Sequence, residues 1–113
     1  MNREHPKPPH PDLERRPPRS FGWLDARLLS EGWLEILGPE AVAVISLLAI
    51  AADYRGASFY RRDTMALRLS MQRDALDRSL RRLAELGLVA QRPWQPGMID
   101  GVWQLLPLPD RRP

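Results

Sequence analysis

Residues 59–89 read FYRRDTMALRLSMQRDALDRSLRRLAELGLV, and the spacing of their apolar side chains decides the fold. Leu76, Leu80 and Leu83 recur at intervals of four and three, which puts them on one stripe of an amphipathic helix. Ser70 carries a hydroxyl of the kind favoured at a helix N-cap, so this helix is expected to run from Ser70 to Leu83. Before it, Asp63 or Thr64 is expected to cap a shorter helix carrying Met65, Ala66, Leu67 and Leu69. After it, Gly87 is the glycine found just past a helix end, and Leu88-Val89 opens a β-prone run.

Working outward, Leu88 to Trp94 and Ile99 to Leu106 read as two strands joined by Gln95-Pro96-Gly97-Met98, whose Pro-Gly pair signals a turn. Trp94 and Trp103 fall on these strands and are expected to pack on each other or on the helices. Ser58-Phe59-Tyr60-Arg61 predicts a strand of two or three residues. In Gly38-Pro39-Glu40, glycine ends one element and proline occupies the first turn of the next, with Glu40 favoured there by the helix dipole. The helix that follows, Ala41 to Tyr54, is apolar on nearly every face and belongs in the middle of the domain; Arg55-Gly56-Ala57 closes it. Its apolar stretch, Ala41 to Ala52, falls short of the ~20 residues that span a membrane. Phe21 to Leu37 predicts one or two short helices, interrupted at Ser30-Glu31-Gly32.

A chain of 113 residues, 43% hydrophobic, has material for one core. Six of its twelve prolines lie in residues 1–20 among Arg, His and Glu, with too little aliphatic content to fold, so this tail is expected to be disordered. The domain is expected over residues 21–106, with 21–37 as a helical extension and 107–113 as a second tail. The N-terminus has no apolar stretch resembling a signal peptide, and the absence of cysteine removes disulfides and thiolate sites, so a cytoplasmic protein is expected.

Charge is unevenly distributed. Residues 21–54 hold Arg27 against Asp25, Glu31, Glu35, Glu40 and Asp53, a net of −4. Residues 55–82 hold eight arginines against Asp63, Asp74 and Asp77, a net of +5. The folded molecule is expected to be electrically two-sided. Sixteen of the seventeen Lys+Arg residues are arginine, which suits bidentate contacts to phosphate and guanine and equally reflects a G+C-rich coding bias.

The order helix, short strand, short helix, turn, amphipathic helix, hairpin, together with Met65-Ala66-Leu67-Arg68-Leu69-Ser70, Leu80-Arg81-Arg82-Leu83 and Leu86-Gly87-Leu88-Val89, resembles the helix-turn-helix of bacterial winged-helix proteins. That pattern is shared by MarR-like and GntR-like regulators and by the DNA-binding domains of plasmid and phage replication initiators and DnaD-type proteins. The likeness covers about residues 39–106 and implies a mainly α fold with a small β-hairpin, here with extra N-terminal helices. It implies binding of double-stranded DNA, in transcription or in replication and plasmid maintenance. Carried onto this chain, it makes Gln72, Arg73, Asp77 and Arg78 candidates for base contacts, Arg61, Arg62, Arg68, Arg81 and Arg82 candidates for phosphate contacts, and Arg92 the wing residue nearest a duplex. Arg73 with Asp77, Asp74 with Arg78 and Asp77 with Arg81 are also i,i+4 pairs, which a solvated helix face would show equally. The alternative is a winged-helix module that recruits a protein partner without touching DNA. Trp23 and Trp33, outside the minimal motif, are candidates for a homodimer contact or for covering the monomer core.

The same residues argue against an enzyme. His5 and His10 lie in the proline-rich tail, the carboxylates lack metal-ligand spacing, no glycine-rich phosphate loop precedes a helix, and no cofactor is expected.

Overall fold

The computed structural model describes residues 6–92 and 101–110. Among them, a 3₁₀ turn (Pro11–Leu13) is followed by α1 (Arg27–Ser30), α2 (Trp33–Ala51), β1 (Ala57–Ser58), α3 (Arg62–Leu69), α4 (Arg73–Glu85), β2 (Val89–Arg92) and β3 (Val102–Leu105). The protein is thus mainly helical with a small three-stranded antiparallel sheet, in the order β1-β3-β2. Ser58 pairs with Trp103, and Trp103 with Gln91, so β3 ties the short strand before the helices to the strand after them.

α2 is the centre of the packing and touches α1, α3, α4, β1 and β3. Its run from Trp33 consists of two helical segments that meet at a kink, the first ending at Gly38 and the second opening with Pro39 in its first turn, as the sequence predicts. Gly38 has φ 78° and ψ 169°, a conformation essentially restricted to glycine, and the chain resumes its helix through Pro39. Nothing lies within 4 Å of a Cβ placed there, so the requirement is conformational and not steric. By length and composition α2 is the one helix among the described residues that could cross a membrane. Its stripe of Trp33, Leu37, Ala41, Val44, Ile45, Leu48 and Ala49 is instead buried within the protein, while Ile50 remains 72% exposed. The expectation of an apolar helix in the middle of the domain is therefore met, with Leu34, Ile36, Val42 and Leu47 partly buried beside the stripe and Ile50 left in solvent.

α4 buries Ala75, Leu76, Ser79, Leu80 and Leu83, which contains the leucine stripe read from the sequence. Its three leucines meet Trp33, Leu37, Ala41, Val44, Ile45 and Leu48 of α2 together with Met65, Leu88, Val89 and Trp103 in one cluster. Trp33 is wholly buried there, so its place is in the core of the single chain and it offers no dimer contact; Trp23, at 76% exposed, does offer surface.

The turn between α3 and α4 corrects the expected capping. Ser70 is not the N-cap of α4 but the residue that ends α3, in the left-handed region at φ 52°. The Met71 N–H donates to the Ala66 carbonyl and the Ser70 N–H to the Leu67 carbonyl, a Schellman closure. α4 ends the same way, with Leu88 donating to Leu83 and Gly87 to Ala84. α4 consequently starts at Arg73, with Gln72 at its N-cap position and no side-chain cap. Nor is α3 capped by Asp63 or Thr64: it begins at Arg62, and Asp63 lies within its first turn. The first strand is also displaced, to Ala57–Ser58.

Candidate nucleic-acid interface

The Schellman turn at Ser70 brings the N-terminal ends of α3 and α4 together, and this juxtaposition determines how the charged residues are used. Asp63, in the first turn of α3, accepts a hydrogen bond from Arg73 Nη1, in the first turn of α4. Arg73 Nε also donates to Asp77 Oδ1, one turn further along α4, at 3.1 Å. The Arg62 guanidinium lies 3.8 Å from that same Asp77 oxygen. Four charged side chains thus form a chain across the two helices, Asp63 to Arg73 to Asp77 to Arg62. The Asp77 hydrogen bond raises the Arg73 guanidinium above its already high range, opposed in part by burial and supported by the Asp63 hydrogen bond.

This network engages Arg73 within the protein. Two of its donors are engaged by carboxylates, which leaves Nη2 and one N–H of Nη1 toward any outside partner. Its role in the free protein is to brace the angle between α3 and α4. Asp77 is likewise engaged, although a carboxylate retains acceptor capacity after two contacts. Gln72 and Arg78 remain exposed at the start and on the outer face of α4, with Arg78 3.5 Å from Asp74 in a pair whose members are both more than half exposed.

Two of the three i,i+4 pairs read from the sequence are therefore formed. The third, Asp77 with Arg81, is not: Asp77 turns to Arg73 and Arg62 instead. The cross-helix contact between Asp63 and Arg73 joins residues ten positions apart and has no signature at helical spacing. All three aspartates of the basic half are engaged, and among the described residues exposed Arg61, Arg68, Arg81 and Arg82 have no carboxylate partner.

Between the helices and the sheet is a cleft of about 270 Å³, bordered by Arg62, Asp77, Arg81, Gln91 and Trp103. α3, α4 and the β2–β3 ladder thus converge on one surface. Arg92 is exposed at the end of β2. The rest of the hairpin tip, with Trp94, Asp100 and the Pro96-Gly97 turn, lies outside the described residues. The opposite half of the molecule is different in kind: Asp25 binds Arg27 through both backbone and guanidinium, and the exposed groups around it are largely apolar. No protein-family model, curated protein or solved structure matches the chain.

Proposed function

We propose that this protein is a winged helix-turn-helix domain that binds duplex DNA with α3 and α4, α4 entering the major groove and the β2–β3 hairpin serving as the wing. The order α2-β1-α3-α4-β2-β3 and the sheet order β1-β3-β2 support the architecture. The observation that carries the DNA reading is the charge left over on the helix-turn-helix. After Asp63, Asp74 and Asp77 are engaged, exposed Arg61, at the start of α3, and exposed Arg68, Arg81 and Arg82 have no carboxylate partner among the described residues. A face of that kind suits phosphates, which accept the bidentate donors of guanidinium.

Arg61, Arg68, Arg81 and Arg82 are the backbone contacts in this reading, and Arg62 is an auxiliary one still tied to Asp77. Gln72 and Arg78 carry most of the base readout, because Arg73 is occupied as a brace. The role is transcriptional regulation or replication and plasmid maintenance; neither requires a catalytic group or a cofactor.

The test is binding to a mixed-sequence duplex followed by fluorescence anisotropy over a salt series. Four phosphate contacts predict a log–log slope of about −3.6, and replacing Arg81 and Arg82 by Ala reduces it by roughly 1.8. In DNA selected from a random pool, Arg78→Ala costs ~1–3 kcal/mol at the preferred site. Absence of binding at 50 mM salt would leave protein-partner recruitment as the function of this face.

A further inference from the structure

Segment 21–25 crosses the C-terminal half of α2 at very short range. At Gly22 a Cβ would lie 2.4 Å from the Ala49 carbonyl oxygen, so only glycine admits this approach. The crossing encloses a pocket of about 380 Å³ whose back is formed by buried Leu28 and Ile45. Its rim carries three aromatic rings that the chain leaves in solvent: Phe21 at 63% exposed, Trp23 at 76% and Tyr54 at 89%. Asp53 also lines it. Oδ1 of Asp53 accepts the backbone N–H groups of Arg55 and Ala57, and these bonds hold its carboxylate below the usual aspartate range, so the group is ionised at neutral pH. With side chains of about 200 Å² each, the three rings present roughly 450 Å² of surface around one pocket, within the range of the largest and often functional patch on a monomeric protein, with the Arg55 guanidinium over one face of Tyr54.

The chain also contains a segment of matching chemistry. Residues 6–20 hold six prolines and a net charge of +2, from Lys7, Arg15, Arg16 and Arg19 against Asp12 and Glu14. All fifteen are exposed, and the hydrogen bond within them is the local one from Leu13 to His10. Prolines pre-set the extended helix that aromatic-lined grooves recognise, at low entropic cost. The arginines complement the pocket's half of the chain, which carries −4. The tail departs from the rim at Phe21, with Pro17-Pro18 fixing extended backbone three residues before it. The chain bends at Arg19-Ser20, yet none of residues 6–20 lines the pocket and all are exposed, so the tail is not seated in its own pocket and stays available to another chain.

We infer that this pocket receives the Pro/Arg-rich segment 6–20 of a second copy of the chain, two protomers exchanging arms about a two-fold axis. Prolines stack on Phe21, Trp23 and Tyr54, and an arginine meets Asp53. The exchange is reciprocal and closes at two chains. It involves neither α3 nor α4 and stands independently of the DNA reading.

The test uses the full-length protein. Its molecular mass is followed by light scattering across a concentration series, and a synthetic peptide of residues 6–20 is titrated into dilute protein while tryptophan emission is recorded. The peptide has no tryptophan and Trp33 and Trp103 are buried, so the part of a blue shift that disappears in Trp23→Phe reports covering of Trp23. The expected result is a dimer that the peptide dissociates, with a saturable blue shift. Trp23→Phe retains binding and loses most of the shift; Trp23→Ala weakens peptide and dimer by roughly thirtyfold, as loss of an interface hot spot does. Asp53→Asn, which keeps the backbone acceptor, weakens binding severalfold, as does a peptide with Pro17 and Pro18 replaced by Ala. Two outcomes overturn the proposal. One is a dimer indifferent to millimolar peptide yet lost in Trp23→Ala, which means that two aromatic faces meet directly. The other is a monomer that shows no response to peptide.

Discussion

The substitution Asp77→Asn separates a DNA-facing arginine surface from a merely solvated one, because the two readings predict opposite consequences. Asp77 holds Arg73 at 3.1 Å and lies 3.8 Å from Arg62, so its carboxylate neutralises part of two guanidinium groups at once. Asparagine keeps the shape and an acceptor oxygen and removes the charge. With four arginines lacking a carboxylate partner among the described residues before the change, the expected salt slope is about −3.6, and an increase in salt from 50 to 200 mM is expected to weaken binding about 150-fold. Arg73 stays held by Asp63, so if the change makes the equivalent of one further cation available to phosphates, the slope steepens toward about −4.5 and the same increase costs about 500-fold. Affinity for mixed-sequence duplex at 50 mM salt therefore rises, while affinity for a selected site rises less or falls, because Arg73 has lost one of the two carboxylates that orient it. The stability cost is small: Asp77 and Arg73 are each about a third exposed, and such pairs contribute ~0.2–1 kcal/mol. Anisotropy titrations at four salt concentrations, with urea unfolding as a control, measure all three quantities. A variant that folds normally and binds with unchanged slope and affinity would falsify the placement of this face against DNA.

Other outcomes are equally definite. Gly38→Ala forces a side chain into a backbone conformation that nothing but glycine adopts readily, and is expected to destabilise by ~1–3 kcal/mol in thermal unfolding although the site has open space around it. Ser70→Gly relieves the left-handed strain of a non-glycine residue at the α3–α4 turn, about 1–2 kcal/mol, against about 0.5–1 kcal/mol of lost chain entropy. The net expectation is a slightly more stable protein, and a lower melting temperature would show that the Ser70 side chain supports the turn. Asp53 has a folded pKa below its unfolded value, through the Ala57 and then the Arg55 N–H, so its contribution is complete above about pH 4 and is lost as pH falls from there through the lowered folded value. Asp53→Asn should flatten that acid limb of the stability profile, which thermal melts between pH 5 and 2 would reveal.

How far the fold could be read from the sequence depended on whether a residue's role was local. The stripe Leu76, Leu80 and Leu83 and the stop at Gly87 are properties of one helix, and both are present. The break at Gly38-Pro39 is similarly local, and it is present as the kink that divides α2 into two helical segments. Ser70 misled because serine favours an N-cap on intrinsic grounds, whereas the chain uses it in a Schellman closure two residues before α4's own N-cap position. The fates of Trp23 and Trp33 were not local at all. Both lie in an amphipathic stretch of similar composition, and only the stacking of α1 on α2 decides that one enters the core and the other stays in water.

The candidate site divides along the same line. Its arginines and their i,i+4 partners were evident from spacing, but which arginines are available was not, because Asp63 reaches Arg73 across the turn. That contact changes the meaning of the aspartates. Three carboxylates among eight arginines first suggest a neutralised, well-solvated surface. Placed in the structure, two of them fasten the N-terminal ends of α3 and α4 to each other and leave exposed Arg61, Arg68, Arg81 and Arg82 without carboxylate partners among the described residues. A surface whose only purpose was solvation would gain by pairing those arginines as well, and an Asp77–Arg81 pair was open to it at ideal helical spacing. Asp77 instead turns toward Arg73 and Arg62, so the carboxylate fixes helix geometry while the outward cations stay uncompensated. Acid substitutions that merely subtract charge and those that loosen the brace should therefore differ: Asp74→Asn should strengthen duplex binding without altering base preference, whereas Asp63→Asn should alter both.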